Sequence, residues 1–316
     1  MRDAEAELRS AKRPLVLGMG GGGDIVGALA TAEFARQYDG ADPIVGGIAW
    51  ERRAIDAIPG PRSASEIEGA QALAPGVLLA GPQTHVQGRE MYFAESRMAQ
   101  VLGQRTVLVD VLAGPAAIAA GILAAAAQLG CDLAVFVDVG GDVLADGTEP
   151  GLVSPLCDAV MLAAAVQLSQ AGHPVLGGIF GIGCDAELTP DEVIAQLAVV
   201  ARTGGLCGAR GLTDAVARRL EEAIQVVPTE ASAQAVRAFR GESGIRTIRG
   251  GRRTLELRTI AALTVYLDLE VTMRATGRLA QAVAHATSLD EANSALNALG
   301  VRTELDLERR AAGGSQ

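Results

Sequence analysis

Residues 18–27 read Gly-Met-Gly-Gly-Gly-Gly-Asp-Ile-Val-Gly and separate an apolar run at 14–17 from a helical pattern that begins at Ile25. The four glycines at 20–23 let backbone N–H groups approach a ligand closely, because no Cβ atom stands in the way. A helix that follows directs the positive end of its dipole at the same place. The stretch therefore predicts a strand, a tight turn and a helix that together bind an anion, most often a phosphate.

Apolar runs alternate with helical stretches over the first two thirds of the chain, which predicts parallel strands joined by right-handed crossover helices. The predicted strands are 15–17, 43–49, 77–80, 106–111, 133–139 and 174–180, and the predicted helices are 25–37, 91–103, 115–129, 156–171 and 190–203. We therefore predict an α/β fold. Its sheet is doubly wound, mostly parallel and Rossmann-like, with helices on both faces and a small C-terminal α+β extension.

The alternation stops near residue 208, where amphipathic helical patterns and short β-like runs take over. This change divides the chain into four predicted regions. They are an N-terminal tail at 1–13, a Rossmann-like α/β domain at 14–207, a C-terminal α+β extension packed on it at 208–307, and a disordered tail at 308–316.

The amino-acid composition indicates which classes of molecule the protein is expected to bind. The chain of 316 residues carries a formal charge of −10, and only 3% of its residues are aromatic. An acidic chain has little general affinity for nucleic acid or for an anionic membrane, so neither is expected as a partner. The first ten residues are charged and lack the apolar core of a signal peptide, which favours a cytoplasmic protein. We expect a homo-oligomer that binds a small anionic molecule.

Ligands of doubly wound sheets bind beyond the carboxyl ends of the strands, so the residues that follow each predicted strand are the candidates for chemistry. Asp138 ends the fifth strand and Asp142 follows it, and both suit Mg²⁺ ligands or a general base. Asp185 and Glu187 follow the sixth strand, and His85 lies in the loop after the third. All five are candidate catalytic residues, and Asp138 and Asp142 are also the candidate metal ligands.

Glu51 follows the second strand, where a dinucleotide-binding fold places the acid that binds ribose hydroxyls. It lies 28 residues after Gly23, somewhat farther than the usual spacing of about 20. Arg52 beside it suits a phosphate or carboxylate. The candidate cofactor-binding residues are Gly20, Gly21, Gly22, Gly23, Asp24, Glu51 and Arg52.

Basic charge is concentrated at residues 240–253, which contain five arginines in an otherwise acidic chain. Arginine matches the geometry of phosphate and carboxylate groups, so one or two of these side chains could reach the anionic end of a substrate. A solvated hairpin and a contact between subunits remain the alternatives.

Six short sequence motifs are distributed along the chain. They are Gly20-Gly21-Gly22-Gly23-Asp24, Ala49-Trp50-Glu51-Arg52, Asp138-Val139-Gly140-Gly141-Asp142, Ser154-Pro155-Leu156-Cys157-Asp158, Glu187-Leu188-Thr189 and Thr229-Glu230-Ala231-Ser232. In this combination the chain resembles an uncharacterised family of archaeal and actinobacterial proteins, a domain of unknown function. The resemblance spans residues 14–307 and implies no particular reaction.

The residues favour a metabolic enzyme that binds a phosphorylated metabolite or nucleotide through the glycine-rich loop. Carboxylates at the strand ends, with Mg²⁺ as a candidate cofactor, would then act in phosphoryl or glycosyl transfer or hydrolysis. An NAD(P)-dependent oxidoreductase that uses the same loop and Glu51 is the first alternative. A non-catalytic ligand-binding or assembly protein is the second.

Overall fold

The structure is a computed structural model that describes residues 2–53 and 55–313. Its strands, in chain order, are β1 (Pro14–Gly18), β2 (Ile44–Ile48), β3 (Trp50–Glu51), β4 (Gly60–Pro61), β5 (Ile67–Glu68), β6 (Gln71–Ala74), β7 (Val77–Ala80), β8 (His85–Val86), β9 (Thr106–Val109), β10 (Leu133–Val139), β11 (Val175–Phe180), β12 (Leu206–Gly211), β13 (Gly244–Ile248), β14 (Arg253–Leu257) and β15 (Leu263–Leu267). Its α-helices are α1 (Ala4–Ser10), α2 (Asp24–Phe34), α3 (Ala94–Leu102), α4 (Gly114–Leu129), α5 (Pro155–Gln170), α6 (Pro190–Arg202), α7 (Asp214–Ile224), α8 (Ala231–Phe239), α9 (Leu269–Ala275), α10 (Arg278–Val283), α11 (Leu289–Ala298) and α12 (Glu304–Gly313).

A nine-stranded sheet in the order β12-β15-β11-β10-β1-β2-β9-β7-β6 forms the centre of the molecule. The five strands β9, β2, β1, β10 and β11 are parallel. Numbered along the chain, they follow the order 3-2-1-4-5 of a dinucleotide-binding fold. The strand order therefore reverses between β1 and β10, and this switch point is where such a fold holds its ligand. The predicted α/β fold class is confirmed.

Each strand of the parallel core is buried on both faces, because helices cover both sides of the sheet. In β1, Leu15 and Leu17 belong to one hydrophobic core, and Val16 between them belongs to the other. Residues of α4, α5 and α10 fill the first core, whereas residues of α2, α7 and α8 fill the second. The continuous apolar runs of the sequence reflect this burial.

The sheet edges differ from the parallel arrangement that the sequence pattern predicts. β7 pairs antiparallel with β9 and with β6, so β6 and β7 form a hairpin at one edge. At the other edge, β15 runs antiparallel to both β11 and β12. An apolar run of four or five residues does not encode strand direction, which depends on the connection that precedes it.

Three boundaries between the predicted regions of the chain do not coincide with boundaries in the structure. Within the predicted N-terminal tail, α1 packs against the body of the protein through the buried Leu8. β12 crosses the boundary expected between 207 and 208, and it joins the central sheet together with β15. At the C-terminus, α12 continues through Gly313, and Glu308 within it accepts a hydrogen bond of 2.8 Å from Nε1 of Trp50. Residues 314–316 of the predicted tail lie outside the described residues.

Glu304 fastens α12 to the first turn of α5. Its carboxylate accepts hydrogen bonds from the backbone N–H groups of Leu156, at 3.0 Å, and Cys157, at 2.9 Å. We expect Glu304→Ala to lower the free energy of unfolding by about 2 kcal/mol, because two buried N–H groups lose their acceptor. Urea denaturation measures the change. Glu291→Ala, which removes an exposed carboxylate at the start of α11, is the control and should cost no more than about 1 kcal/mol; equal losses would contradict this role of Glu304.

Candidate functional site

A cavity of about 720 Å³ opens at the switch point of the sheet. The loop after β1, the start of α5, the loop after β11, the turn of the β13–β14 hairpin and α12 contribute to its wall. Its charged lining residues are Asp24, Glu51, Asp142, Asp158, Asp185, Glu187, Glu230, Glu304 and Glu308, with Arg52, Arg53, Arg249, Arg252 and Arg253. The acids outnumber the arginines by nine to five, so with its carboxyls ionised the cavity would attract a cation and repel an anion that carries none.

The glycine-rich loop lines this cavity as the sequence predicts, but a carboxylate already occupies one of its amides. Oδ2 of Asp24, the first residue of α2, accepts a hydrogen bond of 2.9 Å from the N–H of Gly20. No acceptor in the described part of the chain bonds to the N–H groups of Gly21, Gly22 or Gly23. These three amides are available to a ligand, whereas Gly20 positions Asp24.

Three aspartates, Asp24, Asp138 and Asp158, bring carboxylate oxygens within 4.8 Å of one another, and we call them the aspartate triad. Asp138 lies behind the cavity wall, with 1% of its surface exposed. Neither of its carboxylate oxygens forms a well-aligned hydrogen bond with a described residue, although the N–H groups of Gly141 and Val143 and the carboxyl of Asp142 lie close enough to lower its pKa. Oδ1 of Asp158 has no partner among the described residues either. A buried carboxylate without a partner is costly, so the arrangement is that of a site that requires a proton or a cation.

A second acidic group consists of Asp142, Asp185 and Glu187, whose ligand atoms also lie within 4.8 Å of one another. Glu187 is held firmly: its carboxylate accepts bonds from the backbone N–H groups of Val153, at 2.8 Å, and Ser154, at 2.9 Å, and from the hydroxyl of Ser154. These bonds tie the loop after β11 to the start of α5. Asp138 and Asp142, the two predicted metal ligands, therefore belong to different groups.

Burial raises the pKa values of the carboxyls at this site. The pKa of Asp24 rises to about 7 through burial and repulsion by Asp138, and burial raises that of Asp138 to about 6. Burial and neighbouring carboxylates hold the pKa values of Asp142, Asp158 and Asp185 well above the usual aspartate range. In the absence of a cation, the site therefore retains protons near neutral pH.

Glu51 and Arg52 line the cavity, but both have protein partners. Oε1 of Glu51 accepts a hydrogen bond of 2.5 Å from the N–H of Ala94, and burial raises the pKa of Glu51 to about 7. Nη2 of Arg52 donates to the carbonyl of Gly20 at 2.7 Å, and its guanidinium lies 3.8 Å from Glu304 and from Glu308. Arg52 therefore braces the glycine-rich loop, and most of its charge is offset before any ligand enters.

His85, predicted as a candidate acid or base, is not among the residues that line the cavity. It lies in β8, where its ring nitrogen Nδ1 hydrogen-bonds to the carbonyl of Gln83 at 2.8 Å and its Nε2 lies 3.6 Å from Glu68. The preceding strand, β7, is antiparallel to β9, so its carboxyl end does not lie at the same edge as those of the parallel strands. This correction removes His85 from the candidate site.

The structure adds residues that sequence reasoning did not select as candidates. Asp158 lies in the first turn of α5, where an acid is ordinarily explained by the helix dipole, and it completes the aspartate triad. Arg249 and Arg252 at the hairpin turn and Glu304 in α12 also line the cavity. The sequence signal for the arginines was the basic segment at 240–253, whereas Glu304 lies too far along the chain for any local pattern to indicate it.

The fold and the cavity together define an α/β protein of Rossmann-like topology with an acid-rich cavity at its switch point. Residues 15–312 match the family described as "Protein of unknown function (DUF1152)", and the chain belongs to that family. No curated protein and no solved structure matches the chain.

Within residues 2–53 and 55–313, no helix combines the length and the apolar character needed to cross a bilayer.

Proposed function

We propose that this protein is an enzyme that binds a phosphorylated metabolite or nucleotide in the switch-point cavity and acts on it with a divalent cation, most simply Mg²⁺. The proposed reaction is transfer or hydrolysis at a phosphoryl or glycosyl centre. The observation that carries the proposal is the buried Asp138, whose carboxylate oxygens form no well-aligned hydrogen bond with a described residue and which lies in one cluster with Asp24 and Asp158.

The aspartate triad is the proposed cation site. Carboxylate oxygens are the preferred ligands of Mg²⁺, and the ion usually keeps one or two such ligands together with water and substrate phosphate. Asp158 and Asp24 line the cavity and Asp138 supports them from behind, so an ion held here would remain open to a ligand on one side. A bound cation would neutralise charge that develops on a phosphoryl or leaving-group oxygen.

Asp142 is the proposed general base. It lines the cavity, and burial together with the acids around it raises its pKa above the ordinary aspartate range. A cation bound at the nearby aspartate triad would favour the ionised form of Asp142, which is the form that accepts a proton. Its role is to accept a proton from water or from a hydroxyl nucleophile. Asp185 lies beside it, and Glu187 positions the loop through its bonds to Val153 and Ser154.

The free amides of the glycine-rich loop are the proposed contacts for a phosphate oxygen, together with the cation. Gly21 adopts a φ of +80°, and a Cβ atom there would lie 2.9 Å from the carbonyl oxygen of Trp50. We expect Gly21→Val to weaken binding of nucleotides and sugar phosphates at least about tenfold, because the side chain displaces the loop backbone.

Calorimetric titration with a panel of nucleotides and sugar phosphates, with and without Mg²⁺, tests this expectation. Gly81→Val is the matched control, since Gly81 lies outside the cavity lining and has open space around its Cβ position. Unchanged affinity in a folded Gly21→Val protein would overturn the role of the loop.

NAD(P) binding is the second candidate, and the 3-2-1-4-5 order of the parallel strands favours it. Glu51 lies near the glycine-rich loop, where a dinucleotide-binding fold places its ribose-binding acid, although Ala94 already uses one of its oxygens. The same titration separates the two candidates. NAD(P) affinity that is independent of Mg²⁺, without affinity for other phosphates, would favour the oxidoreductase.

A further inference from the structure

The turn between β13 and β14 carries three arginines over the acid-rich cavity. We call residues 249–253 the arginine tip. Arg249, Arg252 and Arg253 all line the cavity, opposite the glycine-rich loop and the two acidic groups. The hairpin packs into the protein through the buried Leu255 and, directly before the turn, the buried Ile248, so the tip is attached to the body of the protein.

Three hydrogen bonds hold the arginine tip, two of them at the backbone of Arg249 and one through the side chain of Arg253. The N–H of Arg249 donates to Glu230 at 2.5 Å, and Nε of Arg252 donates to the carbonyl of Arg249 at 2.9 Å. Arg253 donates through Nη1 to the carbonyl of Gly151 at 2.7 Å, across the cavity wall. Arg253 is therefore a structural anchor, and it holds the other two arginines in place.

The guanidinium of Arg249 has no hydrogen-bond or ion-pair partner in the described part of the chain, even though the cavity contains nine acids. Glu230, its neighbour, bonds to its backbone N–H instead. The charge of Arg249 nevertheless acts on Asp24, a member of the triad, and on Asp185, a member of the second acidic group. Arg249 thus lies close enough to both groups to act on them electrostatically, but it forms no ion pair with either.

Arg249 also has an unusual backbone conformation, with a φ of +56°. Among the described residues, Ala186 is the other non-glycine residue with a positive φ, and its carbonyl accepts a bond of 3.3 Å from Arg253. A left-handed conformation is uncommon for a residue with a side chain, and such conformations cluster at ligand sites. The positive φ of Arg249 and the bonds around it give the turn a defined conformation that places the Arg249 side chain at the cavity.

We propose that the arginine tip binds a second phosphoryl group of the substrate, so that the ligand is a diphosphate-containing metabolite. This inference rests on the proposed function. One phosphoryl group would lie towards the aspartate triad and its cation, and the next would lie towards Arg249 and Arg252. Planar guanidinium groups form paired, charge-assisted hydrogen bonds with phosphate oxygens, which an acidic wall cannot supply.

Calorimetry with two stable probes tests the proposal in the presence of Mg²⁺. Inorganic phosphate reports the site at the cation, and methylenediphosphonate, which is not hydrolysed, reports both positions. We expect Arg249→Ala and Arg252→Ala to weaken methylenediphosphonate binding about tenfold or more, and to change phosphate binding less than about threefold. Arg246→Ala is the matched control, because Arg246 lies on the same hairpin outside the cavity lining and should leave both affinities unchanged.

The outcomes separate the two proposals. If the unmodified protein binds neither probe, the proposed function and this inference both fail. If it binds phosphate with Mg²⁺ but binds methylenediphosphonate no more tightly, or if the tip variants lose nothing, the inference fails alone. Analytical ultracentrifugation of the same variants tests whether the tip is a contact between subunits. If the variants dissociate from an oligomer and keep their ligand affinity, the tip is a subunit contact and the inference is overturned.

Discussion

Replacing Asp138 with asparagine is expected to stabilise the metal-free protein and to abolish its response to Mg²⁺. The aspartate is buried, and neither of its carboxylate oxygens forms a well-aligned hydrogen bond with a described residue. Burial raises its pKa to about 6, from an ordinary value near 3.8. Because each pKa unit corresponds to about 1.4 kcal/mol, ionisation at pH 8 costs the folded state about 2–3 kcal/mol, and the neutral amide avoids most of that cost.

Urea denaturation at pH 8, with and without Mg²⁺, measures both effects. A cation that binds the folded state at one hundred times its dissociation constant adds about 2.7 kcal/mol to the unmodified protein, and we expect no such gain in Asp138→Asn. Asp290→Asn, which changes an exposed aspartate paired with Arg309, is the control and should respond to Mg²⁺ as the unmodified protein does. A destabilised Asp138→Asn protein that still gains from Mg²⁺ would contradict the cation site.

The stability of the metal-free protein is expected to fall as the pH rises from 5 to 8. The folded-state pKa values of Asp24 and Glu51 are about 7, and that of Asp138 is about 6, all above their ordinary values of 3.8 and 4.5. Groups with raised pKa values contribute their full stability below the unfolded-state pKa and lose it as the pH rises through the folded-state pKa. The loss should therefore begin near pH 4, at the unfolded-state pKa values, and be nearly complete at about pH 7.

Mg²⁺ should reverse this trend, because the cation binds the ionised carboxylates and competes with their protons. Thermal unfolding across pH 5–8, in EDTA and in excess Mg²⁺, gives the comparison. The difference between the two melting temperatures should grow with pH and nearly vanish at pH 5. In the Asp138→Asn protein the difference should stay close to zero at every pH. A constant difference in the unmodified protein would show that Mg²⁺ acts elsewhere.

The sequence predicted the parallel core because each of its strands is a continuous apolar run. Burial on both faces of the sheet is therefore visible in the residues of the strand itself. The run at 133–139 became β10, and the glycine-rich loop became the turn between β1 and α2. The direction of the strands at the two edges of the central sheet could not be predicted in this way. β7 and β15 each join the sheet antiparallel, and nothing within a short run specifies which neighbour it will meet.

The residues of the candidate site that directly follow a strand could be predicted from the sequence, and the others could not. Asp142, Asp185 and Glu187 were found because they follow β10 and β11, and the structure brings them together. Asp158 was missed as a candidate because an acid in the first turn of a helix has an adequate local explanation. His85 was selected because the strand before it was taken as parallel, whereas β7 runs antiparallel and His85 does not line the cavity.

The central claim is that the aspartate triad holds a divalent cation at the switch point of the sheet. The most direct measurement is an anomalous difference map from crystals of the protein soaked in Mn²⁺ at pH 8, with Asp138→Asn crystals treated in the same way. We predict a strong peak between the carboxylates of Asp24, Asp138 and Asp158 in the unmodified protein and none there in the variant. Saturating Mn²⁺ with no peak at the triad, or with peaks only elsewhere, would contradict the account.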